Sequence, residues 1–284
     1  MSGGHPSPWR LACRRLVRSR VTVAAMLLLA LMVLACVAGP WFSPYGPNDQ
    51  NLDLRATAPG ASHWLGTDPL GRDLATRILH GGRISLLVGV LATAVAAVIG
   101  VGYGLVAGLA GRRTDALMMR IVDVLYAFPF ITFVILLVVI FGRQFVLIFI
   151  AIGAVEWLTM ARVVRGQVLS LKKLEYVQAA RAAGAGFVRI LFRHMLPNVM
   201  GPVIIYASLT VPGVMLLEAT LSFLGLGIQA PQPTWGLMMA EGRNWLLTNP
   251  WLIANAGIAL MLLVLSMNLV GDGLRDVLTP NERV

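Results

Sequence analysis

The sequence predicts an all-α, polytopic membrane protein with six transmembrane helices. Of its 284 residues, 57% are hydrophobic and 13% are charged, whereas soluble domains carry about 25% charged residues. The mean hydropathy is +0.77, and the apolar residues fall in runs close to the roughly 20 residues that a membrane-spanning helix needs. This composition excludes an ordinary soluble domain, and its low charge excludes an intrinsically disordered chain.

The first predicted span covers residues 21–42, which contain no charged residue and end in the interfacial aromatic side chains Trp41 and Phe42. The other five spans belong to a core region of residues 84–272. The fourth and fifth spans each contain one carboxylate within the apolar run. The five spans are predicted at about residues 84–111, 121–142, 144–161, 199–221 and 251–271.

An even number of spans puts both termini on one side, and the basic residues indicate which side that is. Cytoplasmic loops are enriched in Lys and Arg, so we expect cytoplasmic tails at residues 1–20 and 273–284 and an external loop at 43–83. The net charge of +10 then reflects topology, and the predicted partner is a lipid bilayer, with no nucleic acid. In this arrangement 17 of the 23 basic residues lie inside, and the other six, outside, are Arg55, Arg72, Arg77, Arg83, Arg143 and Arg243.

The external loop is predicted to contain a short helix on the membrane surface. Thr67 or Asp68 suits its N-cap, and Leu70, Leu74 and Ile78 recur every four residues as an apolar stripe. Such a stripe fits a helix that lies on the bilayer. It fits a docking surface for an external partner equally well.

Small residues recur every four positions along one face of the second span. Such stripes let membrane helices approach closely. Contacts within the chain and contacts with a partner subunit both agree with this pattern. The stripe consists of Ala92, Ala96, Gly100, Gly104 and Gly108.

Three residues within spans are candidates for a gate or a cavity. Pro129 lies inside the third span, where it predicts a kink. Glu156 and Glu218 lie in the fourth and fifth spans, and a carboxylate in a span pairs, faces the bundle interior or serves a transport path. A packing role for the kink and a structural role for both acids remain open beside these functions.

The cytoplasmic loop at residues 162–197 predicts a helix, a glycine turn and a second helix. Residues 172–183 favour a helix, Gly184 and Gly186 form the turn, and Pro197 ends the second helix. One face of that second helix is predicted to hold Phe187, Ile190, Leu191 and His194. An interfacial hairpin and a lever that receives force from a cytoplasmic partner both explain this pattern.

The same loop resembles the EAA coupling loop, E-A-A-x3-G-x9-I-x-L-P, of membrane subunits of ABC-type importers. Two positions depart from that motif, because Gln178 replaces the acid and His194 replaces isoleucine. Further segments resemble the C-type permease subunits of oligopeptide, dipeptide and nickel importers, namely residues 65–68, 71–73, 83–86, 119–123, 221–227 and 271–276. The resemblance identifies the coupling residues as Gln178, Ala179, Ala180, Gly184, His194, Leu196 and Pro197.

This resemblance implies the type I ABC importer permease fold and a pore-forming subunit in the bacterial inner membrane. It implies a second, homologous permease subunit, two ATP-binding subunits that hold ATP and Mg²⁺, and an extracytoplasmic solute-binding protein. Oligopeptides are the preferred cargo, with dipeptides or nickel as alternatives. No cofactor or metal is expected in this chain.

The residues themselves argue against an enzyme. A phosphate-binding GxxxxGK[ST] loop needs a lysine after glycine, but the only lysines, Lys172 and Lys173, follow Leu171. ATP hydrolysis is therefore expected in partner subunits. Two other classes stay open: a proton-coupled secondary transporter that uses Glu156 and Glu218 as relays, and a structural or signalling membrane protein.

Overall fold

The computed structural model describes residues 19–142 and 145–278. The predicted N-terminal tail up to residue 18, Arg143, Gln144 and residues 279–284 lie outside the described residues. In the described part the regular structure is helical, apart from an isolated bridge between Thr67 and Asp73. The all-α fold class is therefore confirmed.

Ten α-helices are present in the described residues, with short 3₁₀ turns at Gly39–Trp41, Leu52–Leu54 and Arg243–Trp245 and a π-helical segment at Leu191–Met195. They are α1 (Arg20–Ala38), α2 (Leu74–Leu109), α3 (Arg112–Tyr126), α4 (Phe130–Phe141), α5 (Phe145–Leu171), α6 (Glu175–Ala182), α7 (Phe187–Ile190), α8 (Leu196–Phe223), α9 (Trp235–Gly242) and α10 (Trp251–Leu278).

Four helical stretches within the described residues are long and apolar enough to cross a membrane, and the bent pair α3–α4 makes a fifth if it forms one span. The predicted count of six is therefore not confirmed. The fourth predicted span lies in α5, a helix of 27 residues that is not among these stretches. The four stretches are Arg20–Trp41, Leu74–Leu109, Phe187–Phe223 and Trp251–Val277.

Helix α2 corrects the prediction of a separate surface helix in the external loop. The stretch from Leu74 onward forms the first turns of α2, which continues without interruption for 36 residues. Asp73, and not Thr67 or Asp68, caps it, because the Asp73 carboxylate accepts a hydrogen bond from the Thr76 backbone N–H. Gly82 lies within this helix, and its missing side chain leaves room for the Trp235 ring and the Cys36 sulfur.

The predicted kink at Pro129 is confirmed. Helix α3 ends at Tyr126, α4 begins after Pro129, and the two axes meet at 76°. Proline cannot donate the backbone hydrogen bond that a continuous helix needs at this point.

The spacing of three residues along α3 favours an ion pair between Arg120 and Asp123. In the structure Asp123 instead pairs with Arg162 of α5 at 2.9 Å.

The small-residue stripe of α2 packs inside the chain. The missing side chains at Gly100, Gly104 and Gly108 face α5 residues, and the backbone oxygen of Ala161 lies 2.6 Å from where a Gly104 Cβ would be. The five stripe residues are buried. Close backbone approach therefore joins α2 to α5 and forms the centre of the bundle.

Three helices continue past the residue at which the sequence predicted the end of a span or of a helix. The fourth span was expected to end at Ala161, but α5 continues to Leu171, and α10 continues past the predicted end at Gly271 to Leu278. Pro197 was expected to end a helix, yet α7, the π-helical segment and α8 run on through it. The Leu196 N–H bonds to the Leu191 carbonyl five residues back, and this wide turn accommodates a proline that a regular helix rejects.

Candidate functional site

The predicted glycine hairpin is present between α5 and α8. We call residues 172–195 the hairpin. At the end of α6, Gly184 has a φ of +82°, and its N–H bonds to the Arg181 carbonyl while the Ala185 N–H bonds to the Ala180 carbonyl. This pair of bonds is the Schellman motif, which ends a helix and favours glycine at its left-handed position. Gly184 therefore sets the angle between α6 and the next helix.

Apolar side chains of the hairpin fix it to the bundle. Val177 of α6 and Ile190, Leu191 and Met195 of the second helix are buried. They join one core cluster with residues of α2, α5 and α8, namely Leu105, Met160, Val164, Val168, Val199 and Val203. The hairpin is therefore held by the core of the protein.

Polar contacts add to this attachment at the end of the bundle that carries the hairpin. Lys172 donates a hydrogen bond from Nζ to the carbonyl oxygen of Gly108 at 3.0 Å. Arg165, six residues before the end of α5, holds the Asp115 carboxylate of α3 with two hydrogen bonds of 2.5 and 2.7 Å. Paired bonds between guanidinium and carboxylate fix orientation as well as distance. The hairpin thus joins to α2 directly and to α3 through α5.

The remaining surface of the hairpin is exposed and carries large apolar side chains beside charged ones such as Lys173, Arg181 and Arg189. Gln178 and Ala179 are exposed around Gly184, and Ala180 is half-buried. The Gln178 side chain donates a hydrogen bond to the Lys173 carbonyl at 3.0 Å, which holds the amide against the start of the hairpin. Five large apolar residues surround this region and are exposed: Leu174, Tyr176, Phe187, Val188 and Phe192.

The predicted face of the second hairpin helix is only partly correct. Ile190 and Leu191 are buried, but Phe187 is exposed and His194 is half-buried. The π-helical segment adds a residue to the turn and shifts the register, so a regular helical spacing does not apply there. His194 instead lies beside the Tyr176 ring of α6, with the ring centroids 6.1 Å apart.

The two carboxylates within spans have different surroundings. Glu218 of α8 is only 1% exposed, and its Oε1 accepts a hydrogen bond from Ser222 at 2.7 Å. Thr234, just before α9, lies near this carboxyl. Glu156 of α5 is half-buried and lies near Tyr206 of α8. Glu218 therefore lies between α8 and the start of α9, whereas Glu156 lies between α5 and α8.

A buried cluster of charges at the opposite end of α2 was not predicted as a site. The Arg77 guanidinium lies 2.9 Å from Glu241 and 3.4 Å from Asp68, and Arg72 pairs with the same two carboxylates. Arg77, Arg72 and Asp68 are all less than 5% exposed. The spacing of four residues between Asp68 and Arg72 was the available signal, but Glu241 is more than 160 residues away in sequence.

Two segments of the chain match models of known protein families. Residues 100–284 match the family described as the binding-protein-dependent transport system inner membrane component. Residues 7–59 match the N-terminal transmembrane domain of oligopeptide transport permease C.

Several curated relatives align along nearly the whole chain. The oligopeptide transport system permease protein OppC of Haemophilus influenzae is 46% identical over 279 residues, which cover 98% of this chain and 90% of the relative. OppC of Escherichia coli strain K12 is 45% identical over 279 residues, 98% of this chain and 92% of the relative. The dipeptide transport system permease protein DppC of Bacillus subtilis is 44% identical over 273 residues, 96% of this chain and 85% of the relative. The chain therefore belongs to the family of inner-membrane components of binding-protein-dependent transport systems, as an ABC-type permease subunit.

Proposed function

We propose that the chain is a pore-forming subunit of an ATP-driven importer that moves peptides across the cytoplasmic membrane into the cell. The observation that carries this proposal is the alignment along nearly the full length with permeases named for oligopeptide and dipeptide transport. Oligopeptides are the preferred cargo, because the N-terminal region also matches the domain of oligopeptide permease C. The comparisons give no support to a proton-coupled secondary transporter.

In this proposal the hairpin couples the chain to an ATP-binding subunit. The coupling residues are Gln178, Ala179, Ala180, Gly184, His194, Leu196 and Pro197. Two observations support the role: the hairpin is fixed to the core through Val177 and Ile190, and its outer surface presents exposed apolar side chains. A segment that is fixed to the core and presents exposed apolar side chains to a docked partner transmits force from that partner to α5 and α8. Gln178 supplies an amide where the family motif has an acid, so a contact there is a hydrogen bond without charge.

The proposed assembly contains a second, homologous permease subunit, two ATP-binding subunits and an extracytoplasmic solute-binding protein. ATP and Mg²⁺ are bound by the ATP-binding subunits, and this chain itself catalyses no reaction. Both termini are cytoplasmic, with the tails at residues 1–20 and 273–284 and the external loop at 43–83. The hairpin then faces the cytosol, and the charged cluster around Arg77 faces outward.

Uptake by the purified assembly tests the function. The chain is co-purified with its partners, reconstituted in proteoliposomes and supplied with a labelled tripeptide and the solute-binding protein. We expect uptake that requires ATP and the solute-binding protein and that persists when the proton gradient is dissipated. Uptake driven by a proton gradient without ATP would overturn the proposal, and so would purification of the chain without any ATP-binding subunit.

A further inference from the structure

A cavity lies in the angle between the bent pair α3–α4 and helix α5. Its volume of about 520 Å³ falls within the range of about 300–1,000 Å³ that is typical of small-ligand pockets. Tyr126, Phe128 and Phe133 line it from the bent pair, and Val155 and Leu158 line it from α5. Tyr126 and Phe128 are exposed, so the cavity is open on one side.

Charged groups lie at one end of this cavity. Asp123 precedes Tyr126 by one helical turn on α3, and Arg162 follows Leu158 by one turn on α5. Their side chains form an ion pair of 2.9 Å, in which Arg162 is 40% exposed and Asp123 56% exposed. The Arg162 guanidinium also lies over the Tyr126 ring, 4.6 Å from its centroid. Tyr126 therefore belongs to the cavity wall and to the charged group at the same time.

This combination distinguishes the cavity from the lipid-facing surfaces of the protein. The exposed stripe of α1, formed by Leu27, Leu31 and Leu34, is purely apolar, as a surface in contact with acyl chains requires. Charged groups in membrane-spanning segments usually face the bundle interior or a water-filled path. Asp123 and Arg162 lie where the third and fourth predicted spans meet the cytosol, so this exposed pair indicates that the open side of the cavity reaches water at its cytoplasmic end.

We propose that this cavity receives an apolar or aromatic side chain of the transported peptide. A peptide presents apolar side chains next to polar amides and charged termini. The apolar side chains fit the aromatic wall of the cavity, and the amides and termini can contact the ion pair. An acyl chain, in contrast, has no polar group that could bind to the ion pair. The inference rests on the proposed function, because it identifies a substrate contact within the proposed import path.

Filling the cavity tests this inference in the reconstituted, complete assembly. Val155→Trp places a large ring in the cavity, while Val98→Trp puts the same ring on a valine of α2 that is 76% exposed and distant in sequence from the lining residues. ATP-dependent uptake of Ala-Phe-Ala and Ala-Ala-Ala is measured for each. We expect Val155→Trp to lower the ratio of the two rates by roughly tenfold, the lower end of the discrimination seen in hydrophobic pockets, and Val98→Trp to leave it unchanged.

A second variant keeps the test decisive if Val155→Trp fails to assemble. Phe133→Ala removes part of the aromatic wall, so we expect a lower ratio of Ala-Phe-Ala to Ala-Ala-Ala uptake here as well. A tripeptide with a central benzoylphenylalanine should also crosslink to the α3–α5 residues that line the cavity. An unchanged uptake ratio in both variants, or crosslinks only to residues outside the cavity, overturns the inference. In that case the proposed function still holds as long as uptake of Ala-Ala-Ala requires ATP. If the wild-type assembly takes up neither peptide with ATP, the proposed function itself fails.

Discussion

Lys172 donates a hydrogen bond to the carbonyl oxygen of Gly108 at 3.0 Å, and this contact joins the start of the hairpin to the last turn of α2. The same turn of α2 packs on Val168 of α5 through the missing side chain of Gly108. A displacement of the hairpin therefore acts on α2 and α5 together. The most closely packed helix pair of the bundle is thus directly connected to the proposed coupling segment.

Gly184 is predicted to be sensitive to substitution because of its backbone conformation. Its φ is +82°, and no atom lies within 4 Å of where its Cβ would be, so steric crowding plays no part within the chain. We expect Gly184→Ala to destabilise the hairpin by about 1–2 kcal/mol, the cost of a left-handed conformation for an L-residue. Limited proteolysis of the purified assembly measures this as faster cleavage within residues 172–195.

Gly186 provides the matched control for Gly184. It lies two residues later, also has no atom near its Cβ position, and has an ordinary φ of −68°. Gly186→Ala should therefore leave the cleavage rate unchanged. In addition, Gly184→Glu should insert normally in the membrane but lose the co-purifying ATP-binding subunit. Normal co-purification and uptake in Gly184→Glu would contradict the proposed coupling role.

The features that the sequence predicted correctly have local causes. The bend at Pro129 follows from a missing backbone donor, and the turn at Gly184 follows from the tolerance of glycine for positive φ. The stripe that includes Gly104 was visible as a period of four residues. In each case a few neighbouring residues determine the result, so a single sequence contains the necessary information.

The features that the sequence missed depend on distant residues or on register. Asp123 had a suitable partner on its own helix, yet Arg162 of α5 pairs with it. Glu241 forms its ion pairs with Arg72 and Arg77 across more than 160 residues. The helix through Pro197 continues because of a single wide turn that no apolar period reveals. Tertiary packing determines these ion pairs and this helix, and the periodicity of apolar residues does not reveal it.

Glu218 is predicted to have a structural role. Its carboxyl is buried and accepts a hydrogen bond from Ser222 at 2.7 Å, and glutamine retains an oxygen that can accept the same bond. We therefore expect Glu218→Gln to transport peptide at nearly the wild-type rate. Glu218→Leu leaves the buried Ser222 hydroxyl without this acceptor, which costs about 1–3 kcal/mol and should lower the thermal unfolding temperature. Loss of uptake in Glu218→Gln at unchanged stability would instead assign Glu218 to a gate or a relay.

Arg77 is predicted to stabilise the end of the bundle that carries the external loop. It is 1% exposed and lies between the carboxylates of Asp68 and Glu241, so its removal leaves buried negative charge with one partner fewer. We expect Arg77→Met to lower the free energy of unfolding by about 3–5 kcal/mol, as for other broken buried ion pairs. Thermal unfolding of the purified protein measures the loss.

Two further variants separate the charge effect at Arg77 from a general effect of losing an arginine. Arg83 is an exposed arginine on the same helix, and Arg83→Met should change the unfolding temperature little. Combining Arg77→Met with Glu241→Gln removes one positive and one negative group and should recover part of the lost stability. Equal destabilisation by Arg77→Met and Arg83→Met would show that the ion pairs do not account for the effect.

The contact between α2 and α5 predicts opposite outcomes at two glycines that are two residues apart. A Cβ on Gly104 would lie 2.6 Å from the backbone oxygen of Ala161 and 2.8 Å from the Val164 Cβ, whereas a Cβ on Gly102 would meet no atom within 4 Å. Gly104→Ala must push the two helices apart, which costs about 1–3 kcal/mol. Gly102→Ala should be neutral or slightly stabilising, because alanine favours the helix by up to about 1 kcal/mol. Unfolding temperatures of the two purified variants measure the difference, and equal values would mean that close approach along this stripe does not hold α5 in place.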